Sequence, residues 1–324
     1  MTEGAIEFFD DQGHFLLNYK YSIASSWFLY RNIRRINSYF RVPKKLSIVF
    51  AGFLSLNIDS VVAIIIFFVL HWYLSLFSQT FFQHRYAAHK AFTMSKFWER
   101  FFFVFSYVTQ GSSYLSPKAY GIMHRMHHAF TDTEHDPHSP SYDKNLFAMM
   151  WRTKNVYTGI LDKTIPVEDR FSKNVPEWKW FDTMANHWIS RLLWGGLYIW
   201  FYVAFAPSAW WYILLPLHMV MGPLHGMIIN WFAHKYGEVN FETDNTSRNL
   251  FKLDLLMFGE GYHNNHHKFP SRTNFAAKKG ELDLCYPIIT LLDKIGVIKT
   301  VHPKTIEMAH AAPVKRVPEA LANH

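Results

Sequence analysis

Cysteine is almost absent from this chain: of 324 residues, one is a cysteine, Cys285. A single thiol excludes an intrachain disulfide and any cysteine-built zinc or iron–sulfur cage, so metal chemistry here has to rest on other donors. A basic stripe carrying a nucleic-acid reading motif is also missing. The net charge is +8, but the Lys and Arg residues flank apolar runs, which points them at anionic lipid and excludes nucleic acid as a partner. The opening stretch MTEGAIEFFDDQGHF is acidic and lacks the basic n-region and apolar core of a secretory signal, so no cleaved leader is expected.

What the chain has in excess is apolar and aromatic surface. Half of its residues are hydrophobic and 18% aromatic, with 30 Phe, 17 Tyr and 12 Trp, which makes a membrane the expected solvent. Ser26 to Phe40 places Leu29, Ile33, Ile36 and Phe40 on one face and Arg31, Arg34 and Arg35 elsewhere, the pattern of an interfacial helix. Leu46 to Phe82 is apolar almost throughout. At about 20 residues per crossing it reads as one very long helix or as a hairpin turning near Asn57 to Ser60. Phe97 to Thr109 is too short to span, and Leu282 to Ile298 has the spacing of an interfacial helix. Two more apolar stretches, at about 190–205 and 209–231, are joined by Ala206, Pro207 and Ser208. Arg152, Lys154, Lys163, Arg170, Lys173 and Lys179 precede that pair and Lys235, Arg248 and Lys252 follow it, so both of its ends are expected in the cytoplasm. Arg41, Lys44 and Lys45 argue the same for the start of the first stretch, and an even number of crossings follows.

The chemistry lies in three histidine boxes: His84 and His89 in HRYAAH, His124, His127 and His128 in HRMHH, and His263, His266 and His267 in HNNHH. In the second and third boxes the i, i+3, i+4 spacing puts all three rings on one helical face, so each box is expected to grip an ion. His84 and His89 are five apart, about 140° around an ideal α-helix, which suits a helix end where the backbone turns them inward. Asn230 and His234 form a further i, i+4 pair just after an apolar run. Imidazoles packed this closely repel unless a cation or an acid holds them. Neutral imidazole suits Fe, Zn and Cu, and this many donors exceed the need of one structural zinc, so two metals fit the count. Asp136 and Glu260, beside the second and third boxes, are the carboxylates best placed to accept the free N–H of ligating rings, with Asp132, Glu134, His135 and His138 as weaker neighbours. Isolated histidines are ordinarily packed core or surface residues, and His71, His187, His218, His225, His302 and His310 are read that way.

The order HxxxxH, HxxHH, NxxxH and HxxHH, with an apolar hairpin before the asparagine, resembles the membrane-bound fatty acid desaturases over residues 60 to 300. HRMHHAFTDTEHDPHSP and GEGYHNNHHKFP are similar to the acyl-CoA Δ9, stearoyl-CoA-type branch. The resemblance implies two irons, with His84, His89, His124, His127, His128, His234, His263, His266 and His267 as ligands and Asn230 binding weakly or through water. It also implies O₂ as co-substrate and insertion of a cis double bond into a saturated acyl chain carried by coenzyme A, acyl carrier protein or membrane lipid. No cytochrome b5 domain is recognised at either end, so the electron donor is expected to be separate, a cytochrome b5-like or ferredoxin-like protein with its reductase.

The expected fold is an all-α, multi-pass integral membrane protein with four transmembrane helices in two hairpins and a cytoplasmic helical cap holding a His-rich dimetal site. Residues 1–45 form an N-terminal cytoplasmic or interfacial segment, 46–300 the desaturase domain and 301–324 a mobile tail. Three rival functions carry distinguishing marks. A membrane diiron hydroxylase shares the boxes and inserts oxygen instead of removing hydrogen. A zinc hydrolase needs fewer histidines and an open zinc site with a carboxylate base. A metal transporter or metal-binding membrane protein places its ionisable residues at the bilayer midplane, whereas these boxes lie beyond the apolar runs.

Overall fold

The computed structural model describes residues 60–301 and two short strands, β1 (Gly4–Ala5) and β2 (Lys20–Tyr21), which pair antiparallel. The interfacial helix expected over 26–40, the first arm expected over 46–59 and the 302–324 tail lie outside the described residues. Helices dominate; among the described residues the extended structure is two short antiparallel pairs and the isolated bridges Glu238–Asn249 and Asn249–Tyr262. The second pair joins β3 (Phe92–Met94) to β4 (Ile298–Thr300) and ties the chain just after the first histidine box to its far end.

Two compact units are distinguished, residues 1–68 with 196–215, and residues 69–195 with 216–324. In the first, Phe67 packs its ring against Tyr198 and Phe201, with centroids 6.0 and 4.4 Å apart, while Val62, Ile65 and Ile66 point outward. The second unit holds every histidine of the three boxes.

Helix α1 (Ser60–Phe77) continues without a break into a π-helical segment, Ser78–Ala88. Ser60–Ala88 is, among the described residues, the one straight helix long and apolar enough to cross a membrane. The second apolar arm is broken: Ala209–Met219 and Met221–Phe232 qualify only together and meet at 72°. Val220 leaves helical geometry, with φ −123° and ψ 22°, and Pro223 follows in the first turn of the next helix, where a missing N–H costs nothing.

Caps set the remaining helices. Ser95 accepts the Trp98 N–H to start α2 (Lys96–Gln110), Ser116 accepts that of Ala119 and Pro117 opens α3 (Pro117–Phe130), and Asn145 accepts that of Ala148 to start α4 (Leu146–Leu161). Helices α5 (Asp169–Ser172), α6 (Lys179–Asn186), α7 (Trp188–Phe205), α8 (Leu215–Met219) and α9 (Met221–Met227) lead to a second π-helical turn, Ile228–Phe232. The short helix α10 (His263–Lys268) and α11 (Cys285–Lys294) are the last helices among the described residues. Residues 282–298 thus form a ten-residue helix and the start of β4, and not one continuous interfacial helix. A core of Phe81, Phe82, Phe92, Phe102, Phe103 and Cys285 packs the π-segment against α2 and α11.

Candidate metal centre

The π-helix answers how HRYAAH works. Its hydrogen bonds close at i→i+5, including His89 N–H to the His84 carbonyl at 3.1 Å, so residues five apart come onto one face. The expectation of a helix end was correct in place, since His89 caps the segment, but the wide turn supplies the alignment. Arg125, inside HRMHH, donates to the orphan carbonyls of Ala87 and Ala88 at 3.1 and 2.8 Å, fastening α3 to that end.

Nine histidines converge as two groups: His84, His89, His124, His128 and His266 in one, and His127, His234, His263 and His267 in the other. Neither HxxHH box keeps to a single group, contrary to the expectation that each grips its own ion. Helix α3 sends its i and i+4 rings to the five-membered group and its i+3 ring to the other. Helix α10 does the reverse. The i+3 ring is offset around the helix from the i and i+4 pair, enough for two neighbouring centres to share one turn.

Within each group the ring nitrogens face one another. Nε2 to Nε2 distances are 2.8 Å for His89–His124, 3.0 Å for His124–His128, 2.8 Å for His128–His266 and 3.0 Å for His84–His266. In the second group they are 3.2 Å for His127–His267, 3.0 Å for His263–His267 and 3.0 Å for His234–His263. Burial, reinforced by the neighbouring imidazoles, holds His124, His128, His263, His266 and His267 well below the usual histidine range. They are neutral at pH 7, and neutral rings with convergent lone pairs are a donor set for a borderline or transition-metal cation.

Three of the opposite ring nitrogens are held by oxygen, whereas Nδ1 of His263 and of His266 is buried with no hydrogen-bond partner among the described residues. Glu260 lies 2.7 Å from His84 Nδ1, and Asp136 lies 2.9 and 3.0 Å from His127 Nδ1. Thr246 Oγ1 is 3.1 Å from His234 Nδ1, with Asp132 behind it accepting from the Thr246 hydroxyl at 2.8 Å. Burial acts to raise the Asp136 and Glu260 carboxyls, but the adjoining His127 and His84 outweigh it and hold both below the usual carboxylate range. An Nδ1–H donated to a carboxylate leaves Nε2 as the lone-pair donor.

Residues 60–279 match the family model described as fatty acid desaturase. The chain is 30% identical to the sn-1 stearoyl-lipid 9-desaturase of Synechocystis sp. over 239 residues, 71% of this chain and 69% of that one. It is 27% identical to the Delta-9 acyl-lipid desaturase 1 of Arabidopsis thaliana, covering 66% of this chain and 67% of that one. With the acyl-CoA 5-desaturase AL21 of Anemone leveillei it shares 26% identity, over 68% of this chain and 66% of that one. The chain belongs to the fatty acid desaturase family.

Asn230 lines a cavity of about 360 Å³ whose walls include His84, His124 and His263. Leu76, Leu115, Met123, Ile229 and Met257 make most of that cavity apolar. Most of the aromatic side chains pack in the core or face outward. His138 also opens on the cavity, its ring tilted against that of His127 with centroids 4.2 Å apart; it lies outside the groups of five and four but clusters with His127 and Asp136. His135 and Glu134 are exposed and face each other at 3.6 Å.

Sequence reasoning missed the polar residues that hold α10. Asn249 Oδ1 accepts the Asn264 N–H at 3.0 Å, Asn264 donates to the carbonyls of Phe241 and Ser247, and Asn265 donates to Phe275 O and Glu281. The signal was present: two asparagines in the middle of a short helix are poor helix formers, and their place there needs a tertiary cause. Arg85 was also passed over. Fully buried, it pairs with Asp283 at 2.7 Å, reaches Glu260 at 3.3 Å and stacks on Phe275.

Proposed function

We propose that this protein is an O₂-dependent fatty acyl desaturase that inserts a cis double bond, at position 9, into a saturated acyl chain at a histidine-ligated pair of irons. The observation that carries this reading is the convergence of nine imidazoles into groups of five and four beside an apolar cavity. His84, His89, His124, His128 and His266 hold one iron, and His127, His234, His263 and His267 the other. Asn230 faces the same space as a weak or water-mediated ligand. The donor set fits iron: neutral nitrogen, no thiolate, and more positions than two closed tetrahedral zincs require.

When bound, the irons supply reductive activation of O₂, which removing hydrogen from unactivated methylenes demands. The balance is one CH₂–CH₂ unit, one O₂, two electrons and two protons in, and one CH=CH unit and two waters out. The electrons come from a separate cytochrome b5-like or ferredoxin-like donor with its reductase. The rest falls to the chain. Glu260, Asp136 and Asp132 fix ring tautomers, and the apolar cavity excludes water and holds two chosen carbons at the site, because adjacent methylenes differ only in position. Four spans in two hairpins, with the site on the cytoplasmic side, accommodate the apolar runs and basic flanks.

The relatives' names specify stearoyl-lipid, acyl-lipid and acyl-CoA substrates, so the acyl chain is the common element and the carrier is decided by assay. Expression in a desaturase-deficient host, with fatty acid profiling by mass spectrometry, should show products lacking two hydrogens. Products that gain an oxygen instead would establish the hydroxylase reading. No new product from protein carrying two irons per chain would overturn both.

A further inference from the structure

The segment just before the third box, Lys252–Phe258, is a loop with an outward apolar face. Leu253, Leu255 and Leu256 are 49, 48 and 56% exposed, while Met257 between the loop and the cavity is buried. Three half-exposed leucines within four residues are costly in water. The surroundings say what covers them.

The carbonyls of Leu255 and Leu256 accept from Tyr73 Oη and Trp72 Nε1, each at 3.0 Å. Both donors sit on α1 in its apolar run. At 1.5 Å per residue they lie roughly 15–18 Å along the axis from His84, on the side away from the metal centre. Their exposed neighbours on the same helix are Val69, Leu70 and Leu74. The loop therefore extends the outer face of the spanning helix, and its carbonyls take side-chain donors at a depth where water is scarce.

Three N–H groups in and just after the loop converge on one carboxylate. Asp254, fully buried, turns inward and accepts from Met257, Gly259 and Gly261 at 2.7, 2.9 and 2.8 Å. Phe258 and Gly259 take left-handed φ of 58° and 94°, which reverses the chain, and the Phe258 ring packs on Tyr73 and Phe77. At the loop's edge Lys252, its side chain 87% exposed and 3.7 Å from the equally solvent-facing Glu238, is within reach of a lipid phosphate.

We propose that residues 253–258 are seated in the acyl region of the bilayer and form the wall separating membrane lipid from the cavity at the dimetal site. Met257 lines the inside of that wall and the three leucines its outside. Two residues beyond the loop, Glu260 reaches His84, so the membrane contact and the metal centre share one short stretch of chain. This rests on the reading of α1 as a membrane span.

Site-directed spin labelling of the full-length, iron-loaded protein in phosphatidylcholine–phosphatidylglycerol nanodiscs tests it. Cys285 is buried and supplies no background. Nitroxides at Leu253→Cys and Leu256→Cys should show an oxygen-to-nickel-chelate accessibility ratio matching Leu70→Cys on α1 and several-fold above Lys163→Cys on the polar surface. Two loop positions keep the test decisive if one variant misfolds. Loop labels that behave like Lys163→Cys, with Leu70→Cys still lipid-exposed, would overturn the proposal while leaving the desaturase reading intact. A water-exposed Leu70→Cys would remove the membrane placement of α1 and the loop proposal with it.

Discussion

Replacing Glu260 by Gln tests how the five-histidine group is held. The carboxylate accepts from His84 at 2.7 Å, from the Thr80 hydroxyl and from Arg85 at 3.3 Å. Gln keeps one acceptor oxygen, so the ring of His84 can stay in place, but it loses the charge that makes the imidazole a stronger donor. Arg85 retains Asp283 at 2.7 Å, so no buried cation is orphaned and the fold should survive. Changes to the partners of ligating rings typically lower metal affinity or activity about 10–100-fold, about 1.4–2.7 kcal/mol. Since Glu260 touches a ring of one group only, chelator competition should weaken one iron by that factor and leave the other near its wild-type affinity. Turnover, which needs both, should fall by at least as much. Wild-type affinity at both sites with wild-type turnover would refute the orienting role, and equal loss of both irons would refute the division into five and four.

Other outcomes follow from the same geometry. His127→Ala and His266→Ala each remove a ring from a different group and should abolish turnover while each lowers iron content, whereas His218→Gln should keep both irons; plasma-source metal analysis beside product profiling separates these. Gly259→Ala should destabilise by about 1–3 kcal/mol, because the residue has φ +94° and an added Cβ would sit 2.3 Å from Asp283 Oδ1; a melting temperature unchanged in detergent would count against it. Asp182, buried and bonded to Tyr114 and Ser116, is pushed up by that burial to about 6. Its folded pKa exceeds its unfolded value, so this contribution is complete below about pH 4 and is lost as pH rises through 6, a change of about 3 kcal/mol. Asp182→Asn should flatten the stability profile between pH 4 and 6, and an unchanged slope would sink this assignment. Impermeant thiol reagents applied from outside should modify Pro207→Cys and leave Lys163→Cys unmodified, and the opposite pattern would invert the proposed topology.

The histidine boxes were legible because ligand spacing is a local property: i, i+3, i+4 is visible in any helical stretch. Which ring joins which centre was not, because it depends on how α3 and α10 face each other, and no local pattern encodes that. The π-helix of Ser78–Ala88 was hidden for a related reason. Its wide turn is stabilised by tertiary contacts such as Arg125 on its terminal carbonyls, and a five-residue spacing alone reads as misalignment. Asp136 and Glu260 were found by proximity in sequence to their boxes. Asp132 with Thr246 was not resolved, since the two meet across 114 positions. The break at Val220 escaped notice because hydropathy carries length and polarity but not direction.

The crossed assignment of the two HxxHH boxes has a mechanical consequence. Among the described residues neither group of imidazoles includes a carboxylate, so the spacing of the two groups depends on the helices that carry the rings. The rings of His124 and His127, which fall in different groups, stand 6.0 Å apart, and so do those of His263 and His266. One turn of α3 and one turn of α10 act as two matched rulers laid in opposite senses across the same gap. A point substitution removes a mark from a ruler; inserting one alanine between His124 and His127 would rotate everything beyond it by about 100° and take His127 and His128 out of both centres at once.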